Sequence, residues 1–291
     1  SSFLIKCRLK KHYDVIISYL EGSAAFWHNI IIDRGKRNIS WIHVDMLKYH
    51  SSHNAYRNHE EDEKRCYQKM DQLVFVSQIA MENFSKLYDI DVPKCCLYNV
   101  ISKSDIYKKA SVGGIITKSV FTITAIGSLL EVKGFDRLIR VAEMLKKDGI
   151  SFCIQIIGRG EKEAELKRLV HELNVENEVH FLGFQANPYP YLKESDIFIS
   201  TSISEGFSLV ICEALVLGIP IVATNTAGAL ELLEGGEYGV ITEQNDLSIY
   251  VALKKYITDE TLRTEYHKKS LLRANIFEVQ SVMSRFYEVI Q

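Results

Sequence analysis

Short apolar runs alternate with stretches of helical spacing along nearly the whole chain, and this rhythm constrains the fold more than any other feature. Residues 14–20, 39–44, 73–77 and 95–100 read as strands in the first part, and residues 121–126, 152–157, 179–182, 196–200, 219–223 and 239–241 in the second. Helices are expected near 135–148, 161–173, 208–217 and 245–257. Strands that are apolar on both faces and separated by helices belong to parallel sheets covered on both sides, so the class is doubly wound α/β. A membrane span is excluded by the same pattern. The longest apolar stretch, 209–223, is broken by Glu213, Gly218 and Pro220 and falls short of the roughly 18 apolar residues a span requires.

With 291 residues the rhythm has room for two such domains. The charges and paired glycines of 107–115 set the expected boundary near Val112, giving an acceptor-side domain over 1–112 and a second domain over 113–275. Residues 276–291 read as a final helix packing back toward the first domain. The first series has fewer strands than a complete domain of this type, and Ser1 begins in a helix-like segment, so the first domain is expected to be incomplete at its N-terminus. Lys plus Arg number 35 against 37 Asp plus Glu, a formal charge of −2, which leaves no basic excess for a dedicated nucleic-acid binder. The six cysteines show no C-x-x-C spacing and sit mostly in apolar runs, as in a reducing compartment. No leader-like segment opens the sequence, and the chain reads as cytoplasmic.

The chemistry concentrates in Ser200-Thr-Ser-Ile-Ser-Glu-Gly-Phe-Ser-Leu-Val-Ile-Cys-Glu213. A strand ends, a polar loop follows, and Ser208 is a good N-cap for an apolar helix that Gly218 and Pro220 terminate. A helix N-terminus at the carboxyl edge of a parallel sheet offers free backbone N–H groups to a phosphate, and Gly206 lets the backbone come close. Glu205 precedes this helix and Glu213 lies within it, roughly 7–8 Å along the axis from the cap at 1.5 Å per residue. Two carboxylates flanking a diphosphate suit the hydroxyl pairs of two sugars. That is the outline of a sugar nucleotide.

Glu205-Gly-Phe-Ser-Leu-Val-Ile-Cys-Glu213 resembles the E-x7-E motif of retaining glycosyltransferases with the GT-B fold, and its setting resembles glycosyltransferase family 4. The likeness continues through Gly127-Ser-Leu-Leu-Glu-Val-Lys-Gly134, Ile157-Gly-Arg-Gly160, Phe181-Leu-Gly-Phe184 and Ala223-Thr-Asn-Thr-Ala-Gly228. It implies two Rossmann-like domains facing a cleft, and transfer of a sugar from a nucleoside diphosphate sugar, UDP favoured, to a hydroxyl of a glycan or lipid-linked acceptor. Polysaccharide biosynthesis at the cell surface is the implied setting. Glu213 would bind the ribose, and Glu205 with the backbone of Gly206, Phe207, Ser208 and Leu209 would hold the transferred sugar and distal phosphate. Lys133 would face the diphosphate beside Gly127 and Ser128, and Phe184 and Gln185 would hold the base. His43 resembles the histidine that faces the sugar from the other domain. Lys133, Glu205 and His43 are thus the implied catalytic residues. The family usually has Arg five residues before this Lys, where this chain has Ser128; Arg159 is the candidate to compensate.

Plainer readings stay open beside these. Lys133 could be a solvated loop lysine, and His43 a hydrogen-bonded, partly buried residue. His43, His50, His53 and His59 lack a second ligand set of zinc-like spacing, and Asp89-Ile-Asp91 reads as a surface turn, so no metal or other cofactor is expected. Lys6, Arg8, Lys10 and Lys11 interleave with apolar residues, which fits either a peripheral membrane contact or a domain helix with a solvated face. The competing functions are a non-catalytic sugar-nucleotide-binding subunit, suggested by Ser128, and a nucleotide-sugar epimerase or glycan phosphorylase of similar architecture.

Overall fold

The structure is a computed structural model that describes residues 11–47, 60–112, 120–277 and 279–291. The basic stretch before Lys11, the histidines at 50, 53 and 59, and the two glycines of the expected boundary lie outside these residues. The chain forms two compact units, Ser1–Val100 with Val279–Gln291, and Ile101–Glu278.

The first unit begins with β1 (Tyr13–Ser18), α1 (Ser23–Ile30), β2 (Gly35–Ile42), α2 (Glu60–Tyr67), β3 (Gln72–Phe75), α3 (Gln78–Leu87) and β4 (Lys94–Cys96). Its strands are all parallel, in the order β1-β2-β3-β4. Ile42, Leu73 and Phe75 from the sheet pack with Tyr67, Phe84 and Tyr88 from the helices and the turn after α3. The buried carboxylate of Glu63 is met within this core by the hydroxyls of Tyr67 and Tyr88, which donate to it at 3.2 and 3.0 Å. A second polar cluster lies beside β1 and β2. Buried His28 sits 3.0 Å from Ser18 Oγ through Nδ1 and 3.0 Å from Asn38 Oδ1 through Nε2.

The second unit runs α4 (Lys103–Ala110), β5 (Phe121–Ile126), α5 (Phe135–Lys147), β6 (Phe152–Ile157), α6 (Glu163–Glu172), β7 (Val179–Gly183), α7 (Tyr189–Lys193), β8 (Ile197–Ser200), α8 (Leu209–Val216), β9 (Ile221–Thr224), α9 (Ala227–Leu232), β10 (Val240–Thr242), α10 (Asp246–Thr258) and α11 (Glu260–Arg273). The last helix, α12 (Val279–Ile290), belongs to the first unit. The six strands of the second unit are parallel in the order β10-β9-β8-β5-β6-β7. From β5 the chain winds outward through β6 and β7, then returns to the other side of β5 with β8 and winds outward again. The reversal leaves a crevice at the carboxyl ends of β5 and β8, the place where sheets of this kind hold ligands. Every residue from Thr122 to Ala125 is buried, as are Ile197 to Ile199 and Ile221 to Thr224, which explains why the strands are mostly apolar and why the Thr122 and Thr124 hydroxyls are hydrogen-bonded, to the Val120 carbonyl and to Ser195.

The division between units falls at Val100 and Ile101, ahead of α4, rather than near Val112. The charged run that suggested a linker is part of a helix that buries Ile106 and Ala110, and Tyr107 donates its hydroxyl to the Val216 carbonyl at the end of α8, 2.7 Å away. Among the described residues no helix is long and apolar enough to cross a membrane.

Candidate functional site

The loop leaving β5 is held against the end of β8 by contacts that only glycine permits. Gly134 has φ +61°, and a Cβ there would lie 2.4 Å from the Thr201 carbonyl oxygen. Thr201 Oγ1 donates to the Lys133 carbonyl at 2.9 Å, and the Ile203 amide donates to the Val132 carbonyl at 2.8 Å. With its backbone fixed, Lys133 extends to Glu205 in the loop after β8, and Nζ lies 3.0 Å from Oε1. The two side chains are only 23% and 16% exposed, so this is a positioned pair and not a solvated surface contact.

The same loop is laced to its other neighbours. Gly127 N donates to the Ile157 carbonyl and Leu129 N to the Arg159 carbonyl, both at 3.0 Å, while Gly158 N reaches the Gly183 carbonyl at 2.9 Å. A Cβ on Gly158 would fall 1.8 Å from the Gly127 oxygen, so three loops at the carboxyl edge meet backbone to backbone. Ser128 is exposed at this edge. The Arg159 guanidinium lies over the ring of Phe184, 4.9 Å from its centroid, and Phe184 itself is 63% exposed. Gln185 folds back to donate to the Leu182 carbonyl at 2.7 Å.

Ser208 caps α8, accepting from the Ile211 amide at 3.4 Å. The first-turn amides of Leu209 and Val210 are donors that no carbonyl of their own helix can reach. The approach to this helix is set by α9. Gly228 N donates to the Glu205 carbonyl at 2.9 Å, and a Cβ on Gly228 would lie 3.0 Å from Gly206 and Phe207 backbone atoms. Phe207 and Ser208 are buried, while Leu209 is exposed.

Glu213 is half-buried on the second turn of α8, and its Oε1 accepts the hydroxyl of Tyr189 at 2.9 Å. Burial pushes the Glu213 carboxyl up, and the Tyr189 hydrogen bond and the Lys109 charge pull it partly back. Burial, followed by the Glu213 charge, drives the Tyr189 hydroxyl up to about 12, so it stays a donor at neutral pH. Lys109 Nζ stands 5.9 Å over the Tyr189 ring, and Asn187 Nδ2 donates to the Lys109 carbonyl at 2.9 Å.

Sequence reasoning missed Tyr189, because it sits on a single helical turn between Pro188 and Pro190 with no periodic signal. It also missed the holding roles of Thr201 and Gly228. His43 lies in the first unit just past β2, its amide donating to Glu21 Oε2 at 3.1 Å and its ring packed 4.8 Å from that of Tyr19. Desolvation lowers the His43 pKa, against the pull of Glu21. Asp89 and Asp91 are both exposed on the turn between α3 and β4.

The family model described as glycosyl transferases group 1 matches residues 113–272. The chain is 35% identical over 215 residues to the N-acetylgalactosamine-N,N'-diacetylbacillosaminyl-diphospho-undecaprenol 4-alpha-N-acetylgalactosaminyltransferase of Campylobacter jejuni subsp. jejuni, an alignment covering 73% of this chain and 58% of that protein. Among solved structures, a variant of S. aureus TarM determined with fondaparinux, alpha-GlcNAc-glycerol and UDP superposes with a TM-score of 0.79 at 18% identity, covering 100% of this chain and 58% of that one. Sucrose-phosphate synthase from Thermosynechococcus elongatus gives a TM-score of 0.81 at 16% identity, covering 99% and 77% of the two chains. Both likenesses are of fold, and the two parallel-sheet units match GT-B glycosyltransferase structures. With a family model matched over more than half its length, the chain belongs to the group 1 glycosyl transferases.

Proposed function

We propose that the chain works as a retaining transferase of family 4 type, moving a sugar from a nucleoside diphosphate sugar, with UDP favoured, to a hydroxyl of a glycan or lipid-linked acceptor in cell-surface polysaccharide synthesis. The observation that carries this reading is the Lys133–Glu205 pair in the crevice between β5 and β8, next to the Ser208-capped start of α8. Glycosyl transfer builds negative charge on the departing diphosphate, and a fixed ammonium with a helix N-terminus stabilises that charge. In this reading Lys133 and the backbone of Gly206, Phe207, Ser208 and Leu209 hold the phosphates, Glu205 the transferred sugar and Glu213 the ribose diol. Phe184 and Gln185 bracket the base, and Arg159 supplies the cation that Ser128 lacks. His43 faces the sugar. The leaving phosphate takes the acceptor proton on the face it vacates, so no metal is called on.

The relatives support the chemistry by name alone. The Campylobacter jejuni protein acts, by its name, on a diphospho-undecaprenol-linked acceptor, and TarM was determined with UDP. Because the chain spans 58% of the length of the first of these, the activity of the whole protein is part of the proposal.

The test is a thermal-shift screen with UDP-, GDP- and ADP-sugars, since a ligand that binds only the folded state raises its melting temperature. UDP-sugars are expected to stabilise the chain and Glu213→Ala to abolish the effect. Ser128 keeps a second reading alive, a sugar-nucleotide-binding subunit without turnover of its own. Hydrolysis or transfer by the purified chain alone would remove it.

A further inference from the structure

A cavity of about 490 Å³ opens in the second unit where α5 and α6 meet, and none of the residues assigned above lines it. Its size is that of a small-molecule site, which runs to roughly 300–1,000 Å³. Phe135, Leu166, Leu169 and Ile203 give it apolar wall. Charged side chains supply the rest.

Arg137, Arg140, Lys162 and Arg168 all line this cavity, and only two of them are engaged. Arg140 lies 2.9 Å from Asp136 and 2.6 Å from Asp246, and Lys162 lies 2.9 Å from Glu165 and 3.8 Å from Glu131. Arg137 and Arg168 form no salt bridge among the described residues. Arg137 stands in the first turn of α5, where the helix dipole opposes a cation, so helix stability does not account for it. Its Nη1 is buried against the Gly134 turn, 3.4 Å from where a Cβ would stand, and what it lends the cavity is a fixed charge. Arg168 is exposed and has its planar fork free to close on a ligand. Glu172, one helical turn beyond Arg168, also lines the cavity and makes no salt bridge with it.

Two free arginines beside a free carboxylate do not suit a bare anion. They suit a ligand with an acid group at one end and hydroxyls at the other, since guanidinium matches phosphate or carboxylate oxygens and a carboxylate accepts from hydroxyls. We propose that this cavity binds a small polyhydroxylated anion, a sugar phosphate or sugar acid, and that its occupancy changes donor affinity in the neighbouring crevice. The acid group meets the charges of Arg137 and Arg168, and the hydroxyls meet Glu172. The link to the crevice is covalent and short. Leu130 and Glu131 line the cavity just before Lys133, and Ile203 lines it two residues before Glu205. The Ile203 amide donates to the Val132 carbonyl at 2.8 Å and ties the two loops together, so a ligand resting on both acts on the Lys133–Glu205 pair. This coupling rests on the transferase reading, whereas the anion site does not.

The test is isothermal titration of the whole chain with glucose 6-phosphate, mannose 6-phosphate, glucuronate, glucose and inorganic phosphate, each with and without UDP. At least one of the first three is expected to bind saturably, and whether it is a phosphate or glucuronate identifies the acid group. Glucose and inorganic phosphate each supply half of the contacts and should bind about tenfold more weakly or worse. Arg168→Gln changes an exposed residue at little cost to folding. It should weaken anion binding about tenfold and leave UDP affinity in the absence of the anion unchanged. In wild type, saturating anion should change the UDP dissociation constant about fivefold or more, and UDP should change the anion's by the same factor. The proposal is overturned if none of the three binds, if inorganic phosphate binds as tightly as they do and marks an adventitious ion only, or if Arg168→Gln binds them as wild type does. It is equally overturned if UDP excludes the anion, which would put the anion in the donor crevice, or if each leaves the other's affinity unchanged. Failure of UDP to bind at all removes the transferase reading, and the anion titrations still decide the site.

Discussion

Lys133 and Glu205 meet at 3.0 Å between the loops that leave β5 and β8, so one ion pair bridges the two strands at which the sheet reverses its winding. The pair places a cation and a carboxylate at the mouth of the crevice and gives each a defined position before any ligand arrives. In an electrostatic mechanism such fixed charges need no reorganisation during the reaction.

Removing the cation should therefore act on the transition state more than on binding. Lys133→Ala is expected to lower kcat/KM by roughly 10²–10³, the scale seen when one preorganised charge partner is lost. Lys133→Arg keeps the charge, but its planar fork cannot reproduce a compact ammonium, so recovery should be partial. Initial rates over a range of donor concentrations check this, and unchanged kcat/KM in Lys133→Ala would exclude a catalytic role for the pair.

Position matters as much as charge, and Gly134 fixes the position. Gly134→Ala would force a side chain into φ +61° with its Cβ 2.4 Å from the Thr201 oxygen. The loop must move, at a cost of about 1–3 kcal/mol for the strained backbone alone. Gly149, also at positive φ (+71°) but with nothing within 4 Å of where a Cβ would stand, is the control. Gly149→Ala should lose some stability and keep its rate, whereas Gly134→Ala should lose both. Melting temperatures and rates of the two variants, measured side by side, test the distinction.

The second unit was largely legible because its chemistry is local. Strands such as 121–126 and 196–200 are buried on both faces and written mostly in apolar residues, with the buried hydroxyls of Thr122 and Thr124 hydrogen-bonded, and the Glu205–Ser208 loop carries its cap and its glycine in sequence order. Helix α4 was not legible. It buries only Ile106 and Ala110 and shows Asp105, Lys108 and Lys109 to solvent, so its pattern looks like a linker until its contact with α8 is seen. Tyr189 illustrates the same limit at the site. Its role depends on a hydrogen bond to a residue 24 positions away, which no local spacing reports.

Acidification should weaken the first unit. Desolvation holds the pKa of buried His28 below the ordinary 6.5, against smaller opposing effects from Asn38 and Asp71, and His43 is shifted the same way. For a base with a lowered folded pKa, the unfolded chain takes up the proton first. The stability contribution is thus intact above the unfolded value and is lost as pH falls below about 6.5. Against the opposite contribution of Glu213, the histidine part is read by difference: between pH 7.5 and 5.5 wild type should lose more melting temperature, or gain less, than His28→Gln, whatever the variant's stability at pH 7.5. A His28→Gln variant that loses as much melting temperature as wild type over this interval would contradict the assignment.

Glu213 should show the opposite sign, and with it a conflict between stability and function. Burial raises its folded pKa above the unfolded value, so the favourable contribution is present below the unfolded pKa and is lost as pH rises through the folded one. At neutral pH the buried carboxylate is then a burden to the fold that Tyr189 and Lys109 partly relieve. Glu213→Gln should melt higher than wild type at pH 7.5, yet bind donor more weakly, because an amide presents one acceptor oxygen in place of two. Tyr189→Phe removes a hydrogen bond to the ionised form, which raises the Glu213 pKa further. Donor affinity in that variant should match wild type most closely at high pH and fall away at a higher pH than wild type as the solution is acidified. Donor dissociation constants measured from pH 5 to 8 for the three proteins decide the matter: parallel profiles for wild type and Tyr189→Phe would mean that the hydroxyl does not tune the carboxylate.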